Sequence, residues 1–195
     1  VIRDGLKLHE INHCIVTHGH CDHFYATDLM MKARPYARSG SRAPFHVYGT
    51  KRIGELYKRM REVDDDCENL DDCVTLTEIH PFQPFTILNY RVTPLRAAHD
   101  PAECCLIFLI EDEAGKTLLY GNDTAYFPEE TWEYLRGRQL DLVSLDCTMG
   151  ILGDGATHMG WAGDVRTKER LEAMGCVHDS TVFILNHFSH NCGHG

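Results

Sequence analysis

The sequence has no apolar run approaching the roughly 20 residues that a helix needs to cross a bilayer. Its opening stretch, VIRDGLKLHEIN, lacks the basic start, apolar middle and small-residue cleavage site of a secretory leader. No segment repeats and none is of low complexity. Positive charge is scarce: 19 Lys and Arg against 29 Asp and Glu give a net charge of −10, which argues against a broad basic face that grips nucleic acid. None of the nine cysteines forms a C-x-x-C pair. With no export pattern they read as reduced thiols, mostly small core residues, and the expected setting is the cytoplasm, away from membranes.

What remains fits a globular enzyme-sized unit. At 195 residues and 43% hydrophobic content, the chain suits one domain spanning 1–195 with its own core. Apolar runs predict strands over 13–18, 45–49, 74–80, 85–99, 104–112, 116–123, 141–148 and 180–187. Helical spacing predicts helices over 22–33, 51–63, 128–137 and 163–175. The acidic stretch after residue 63 reads as solvated surface. Strands come in runs with helices between or after them, which predicts an α+β fold of two sheets faced by helices.

Histidine is over-supplied, with 13 residues, and unevenly spread. VTHGHCDHF (16–24) packs His18, His20, Asp22 and His23 into six positions, at a strand-to-helix turn. Three more ligand-type residues end apolar strands: His99 after VTPLRAA, Asp123 after TLLYGN and His187 after VFILN. One histidine at a strand end is more often structural than a ligand. Four strands finishing this way, if they run in compatible directions, gather the groups at one rim. His18 and His20 are two apart and share a direction on extended backbone, so they suit one cation; Asp22 and His23, a turn later, suit a second. Imidazole and carboxylate donors without thiolate fit zinc, manganese or iron(II) in an open, catalytic type of site.

THGHCDH matches the H-x-H-x-D-H signature of the metallo-β-lactamase-fold hydrolases, and His99, Asp123 and His187 follow in that superfamily's order. The chain resembles this superfamily over nearly its whole length. LDCTMG, the loop around His158 and NHFSHN look most like the branch containing the phosphonate-utilisation cyclic phosphodiesterase. The resemblance implies an αββα sandwich, lacking here the family's first strands and its closing strand. It implies two divalent ions: His18, His20 and His99 on one, Asp22, His23 and His187 on the other, Asp123 between them. It makes His158, Asp22 and Asp123 the candidate catalytic residues, links His190 to a structural zinc site, and allows a homodimer.

Five neutral imidazoles, two carboxylates, two divalent ions and a hydroxide sum to about +1, which suits a small anionic substrate. The expected reaction is hydrolysis of a small phosphodiester, cyclic ones included, with His158 protonating the leaving group. The alternatives are hydrolysis of another ester, a lactone or a thioester, RNA processing, and a non-catalytic metal module. Asp146, ending DLVSLD, fits either a brace for a ligand histidine or a plain cap. Arg34, Arg38 and Arg42 fit either phosphate contacts or solvent-facing charge.

Overall fold

The computed structural model describes residues 3–5, 7, 10–37, 43–64 and 66–190. By contacts the chain divides into two compact units, Val1–Ile79 and His80–Gly195, each with its own apolar core.

In the first unit, β1 (His13–Ile15), β2 (Phe45–Gly49) and β3 (Val74–Glu78) form a parallel sheet in that order. Parallel neighbours need a crossover, and α1 (Lys51–Val63) supplies it between β2 and β3. Ile53 and Met60, seven residues apart, fall on its buried stripe beside Leu56 and Tyr57. A Cβ on Gly49 would lie 2.5 Å from Ile53 Cγ1, so glycine there lets the helix start hard against the strand.

Two expectations for this unit are corrected. The 22–33 stretch is a turn followed by a 3₁₀ helix over Ala26–Lys32. Phe24, Leu29, Met30 and Ala33 are buried as their spacing suggests, but the chain first folds His23 N–H and Phe24 N–H back onto His20 O, which delays the helix. The acidic stretch is not all solvated: Leu70 is buried and anchors a short α2 (Leu70–Cys73), entered through Asn69 at φ 55°.

In the second unit, β4 (Phe85–Ile87), β5 (Tyr90–Arg96), β6 (Leu106–Glu111), β7 (Thr117–Gly121), β8 (Leu140–Asp146) and β9 (Val177–Asn186) form one sheet in sequence order. Pairs from β4 to β7 are antiparallel; β7, β8 and β9 are parallel. The crossovers are α3 (Glu129–Leu135) and α4 (Trp161–Ala173). The predicted single strand 85–99 is a hairpin, broken where Leu88 takes φ 53°. Leu109, Leu119, Val143 and Phe183 lie in one row across four strands. With Trp132, Leu135 and Leu171 from the helices, they build the core.

This topology sets the chemistry. Two antiparallel steps separate β5 from β7, so β5, β7, β8 and β9 all run the same way. Their carboxyl ends therefore finish at one sheet edge, where α/β proteins commonly bind ligands. His99 lies just past β5, Asp123 just past β7 and His187 directly after β9, and Asp146 is the last residue of β8. The α+β class and the two sheets match expectation. Among the described residues no helix is long and apolar enough to cross a membrane.

Candidate metal centre

In the first unit the cluster grows from the end of β1. His18 is fully buried, and its Nε2 lies 2.9 Å from His20 Nδ1. Two imidazoles on one tetrahedral zinc, each bonded at about 2.0–2.1 Å, keep their nitrogens about 3.3 Å apart, so this pair, now at hydrogen-bond separation, needs only a few tenths of an ångström of movement to share a cation. Thr17 Oγ1 sits 3.0 Å from His18 Nδ1, on the far side of the ring. The His23 ring packs on His18 at 4.3 Å between centroids. Asp22 is placed differently from expectation: its side chain is 74% exposed, with an oxygen 3.5 Å from His23 Nε2. It is not at a helix N-terminus, because the helix begins only at Ala26.

In the second unit, donor atoms of Asp123, Asp146, His158 and His187 all lie within 4.8 Å of one another. His99 Nε2 stands 3.6 Å from Asp123 Oδ1, and its ring packs edge-on to that of His158 at 4.8 Å. His158 Nδ1 is 2.9 Å from Asp146 Oδ2 and 3.5 Å from Asp123 Oδ1. His187 Nε2 is 3.9 Å from Asp123 Oδ2. Asp123 and His187 both sit at φ 62°. Non-glycine residues hold this left-handed backbone at a cost, and such strain collects at functional sites.

The surrounding acceptors fix which ring nitrogens carry protons. His99 Nδ1 lies 3.1 Å from the Thr157 carbonyl. A carbonyl only accepts, so Nδ1 donates and Nε2 presents a lone pair. The Thr148 hydroxyl donates to His187 O at 2.8 Å. Its single proton is then used, so at 2.6 Å it accepts from His187 Nδ1–H, and His187 also presents Nε2. Outer hydrogen bonds of this kind orient ligand histidines and raise their basicity. Asp146 Oδ1 accepts Thr148 N–H at 2.9 Å, and Oδ2 accepts Thr124 N–H at 3.1 Å as well as His158 Nδ1–H. Asp146 combines features of both readings: it caps two backbone amides, and the ring it braces is that of His158, which is not among the expected ligand histidines. Thr148 and Thr157 carry no motif that would have marked them beforehand.

The donor set is imidazole and carboxylate, and it fits divalent cations. The nearby cysteines stay out of it. Cys21 is exposed, and burial pushes the Cys147 thiol up to about 12. The remaining candidates are dispersed. His190 and Arg34 are exposed; Arg38, Arg42, Cys192 and His194 lie outside the described residues. His13 stacks on His46 at 4.7 Å, and His178 Nε2 lies 3.5 Å from Asp141.

The sequence matches the family described as the beta-lactamase superfamily domain over residues 2–188. No curated protein matches significantly. Among solved structures, a diphosphatase from the PhnP family is 20% identical, with a TM-score of 0.67 over 97% of this chain and 64% of its own. The metallo-β-lactamase-fold protein YhfI from Bacillus subtilis is 19% identical, with a TM-score of 0.71 over 96% of this chain and 70% of its own. The short form of human tRNase Z is 17% identical, with a TM-score of 0.71 over 96% of this chain and 76% of its own. The chain thus spans about two thirds of the length of these structures. With the family matched from end to end of its described elements, the chain belongs to the beta-lactamase superfamily and has the metallo-β-lactamase fold.

Proposed function

We propose that the chain is a metal-dependent hydrolase of a small phosphodiester, working in the cytoplasm with two divalent ions. The observation that carries this reading is the convergence of Asp123, Asp146 and His187 beside His99, at the carboxyl ends of co-directional strands, with His158 brought to them by the loop before α4. The side chains that would serve as ligands are His99, Asp123 and His187 in the second unit and His18, His20, Asp22 and His23 in the first, with Asp22 having to turn inward from its exposed position. When bound, the ions supply positive charge for the phosphoryl oxygens and acidify a water.

His158 does the proton work. Asp146 engages its Nδ1, which leaves Nε2 to carry the proton that the leaving alkoxide needs. Asp146 also changes the charge count. A third carboxylate lowers the site from about +1 to about 0, so an anionic substrate is favoured when His158 is protonated. Protonation of one residue then serves both binding and leaving-group departure. The PhnP-family diphosphatase among the similar folds supports phosphoryl chemistry.

The test uses the metal-loaded protein. Metal analysis should give about two ions per chain. In a panel of chromogenic phosphodiesters, phosphomonoesters, lactones and thioesters, phosphodiesters should turn over best; turnover of lactones or thioesters alone overturns the substrate class. His158→Ala should lose roughly 10²–10⁴-fold in kcat with both ions retained. Loss of metal along with activity would make His158 a ligand instead.

A further inference from the structure

We propose that Asp154 is a second positioning residue of the site, beside Asp146: it clamps the loop that carries His158 onto α4 and so sets the place of the imidazole. This rests on the role given to His158 above.

The clamp is built from three donors. Asp154 Oδ1 accepts Gly160 N–H and Gly163 N–H, each at 2.9 Å, and Oδ2 takes the Arg166 guanidinium. Helix α4 opens at Gly160, which has no side chain to cap it. Its first amides would otherwise lack acceptors. Asp154 reaches them from six residues upstream and does the work of an N-cap from outside the helix. Residues 154 to 163 thereby close into a ring, with His158 inside it. Gly155 N–H donates to His158 O at 2.9 Å, and Met149 N–H donates to Met159 O at 3.0 Å. The loop backbone is thus tied on both sides of the histidine.

The glycines show that the fit is tight. A Cβ on Gly163 would stand 2.4 Å from Asp154 Oδ1, and one on Gly160 would stand 2.7 Å from Gly150 O. At Gly160 the loop backbone occupies the space and excludes a side chain, whereas at Gly163 a Cβ would have to push the Asp154 carboxylate aside. Burial pushes the Asp154 carboxyl up, but the Gly160 amide, Arg166 and the Gly163 amide together hold it below its ordinary value, so the clamp is charged at neutral pH.

A cap that served stability alone would leave catalysis intact once the protein is folded. A positioning clamp makes a different prediction, because small displacements of a proton donor are costly in rate. In the metal-loaded protein, Asp154→Ala should lower kcat roughly tenfold, with KM and metal content unchanged. Asp154→Asn keeps an oxygen for the two amides and should recover most of that loss. Gly163→Ala, which displaces the carboxylate from the other side, should reproduce it. The deciding experiment repeats Asp154→Ala in a His158→Ala background, where it should change kcat by less than twofold. An equal loss in both backgrounds overturns the proposal.

A second readout needs no turnover. In ¹⁵N spectra of the histidine rings, Asp154→Ala should shift or broaden the His158 signals, and Asp154→Asn should restore them. Unchanged His158 signals overturn the proposal. If the wild-type protein hydrolyses none of the panel, the functional reading fails while the ring spectra still decide whether Asp154 sets His158.

Discussion

Replacing Asp164 by asparagine should stabilise the protein, and by an amount that depends on pH. Asp164 lies in the first turn of α4 and is only 3% exposed. Its oxygens meet no nitrogen or oxygen donor among the described residues, and the Cys147 thiol is the weak hydrogen bond beside them. Burial pushes its carboxyl from 3.8 to about 7; the Cys147 thiol beside it favours the anion, and Asp146 and Asp154 oppose it. An acid with a raised folded pKa keeps its proton in the native state after the unfolded chain has released it. Below about pH 4 both states are protonated and the group costs nothing through this route. Between about pH 4 and 7 the unfolded state is progressively favoured, and above 7 the penalty is complete. A shift of about three units corresponds to roughly 4 kcal/mol at ~1.4 kcal/mol per unit. Asparagine has nearly the shape of the neutral acid and removes the titration. Urea denaturation of wild type and Asp164→Asn, both stripped of metal, should give matching stabilities near pH 4. The variant's advantage should grow to a few kcal/mol by pH 8. Parallel stability curves from pH 4 to 8, or an advantage that shrinks as pH rises, would refute the buried neutral acid.

Further outcomes follow from the ring hydrogen bonds and the core. Asp146→Asn should lower kcat far more than it raises KM, because the His158 ring loses the carboxylate that orients it. Steady-state kinetics at saturating metal checks this, and an unchanged kcat contradicts the brace. Thr148→Val removes the acceptor of His187 Nδ1–H and should weaken metal binding roughly 10–100-fold, read by competition with a chromogenic chelator. Trp132→Ala should cost about 3–5 kcal/mol: the ring is fully buried and packs on Phe127 and Tyr126. Its activity at low temperature should survive, since no donor of the site touches it.

The strand ends were the most legible part of the site, for a physical reason. A buried strand announces itself by an apolar run, and a histidine or aspartate at its close breaks that run in a way no core position tolerates without a partner. His99, Asp123 and His187 could therefore be picked out before any coordinates. The H-x-H-x-D-H spacing did the same for His18, His20, Asp22 and His23, of which Asp22 lies exposed. Less could be read where the decisive group is common or the backbone unusual. Leu88 at φ 53° hides the β4–β5 turn behind a residue that rarely adopts it. Thr148 and Thr157 look like any other threonines, and Thr157 contributes only a backbone carbonyl. Asp154 reads as a loop aspartate between two glycines, because its partners are backbone amides six and nine residues ahead.

The left-handed backbone at Asp123 and His187 connects these observations. A strand that simply continued past Gly121 or Asn186 would send alternate side chains to opposite faces of the sheet. A φ of 62° at the first or second residue beyond the strand turns the chain aside there and reorients the side chain. Each strained residue is then held by bonds that oppose relaxation. His187 is tied through both its Nδ1 and its carbonyl oxygen to one hydroxyl, that of Thr148. Asp123 is followed by Thr124, whose N–H goes to Asp146 and whose hydroxyl accepts Ala98 N–H. Glycine would adopt the same φ at less cost but would carry no donor. The conformational cost at these two positions is therefore the consequence of placing ligand-type side chains where the backbone must turn, and the threonines and Asp146 are the groups that hold the turns in place.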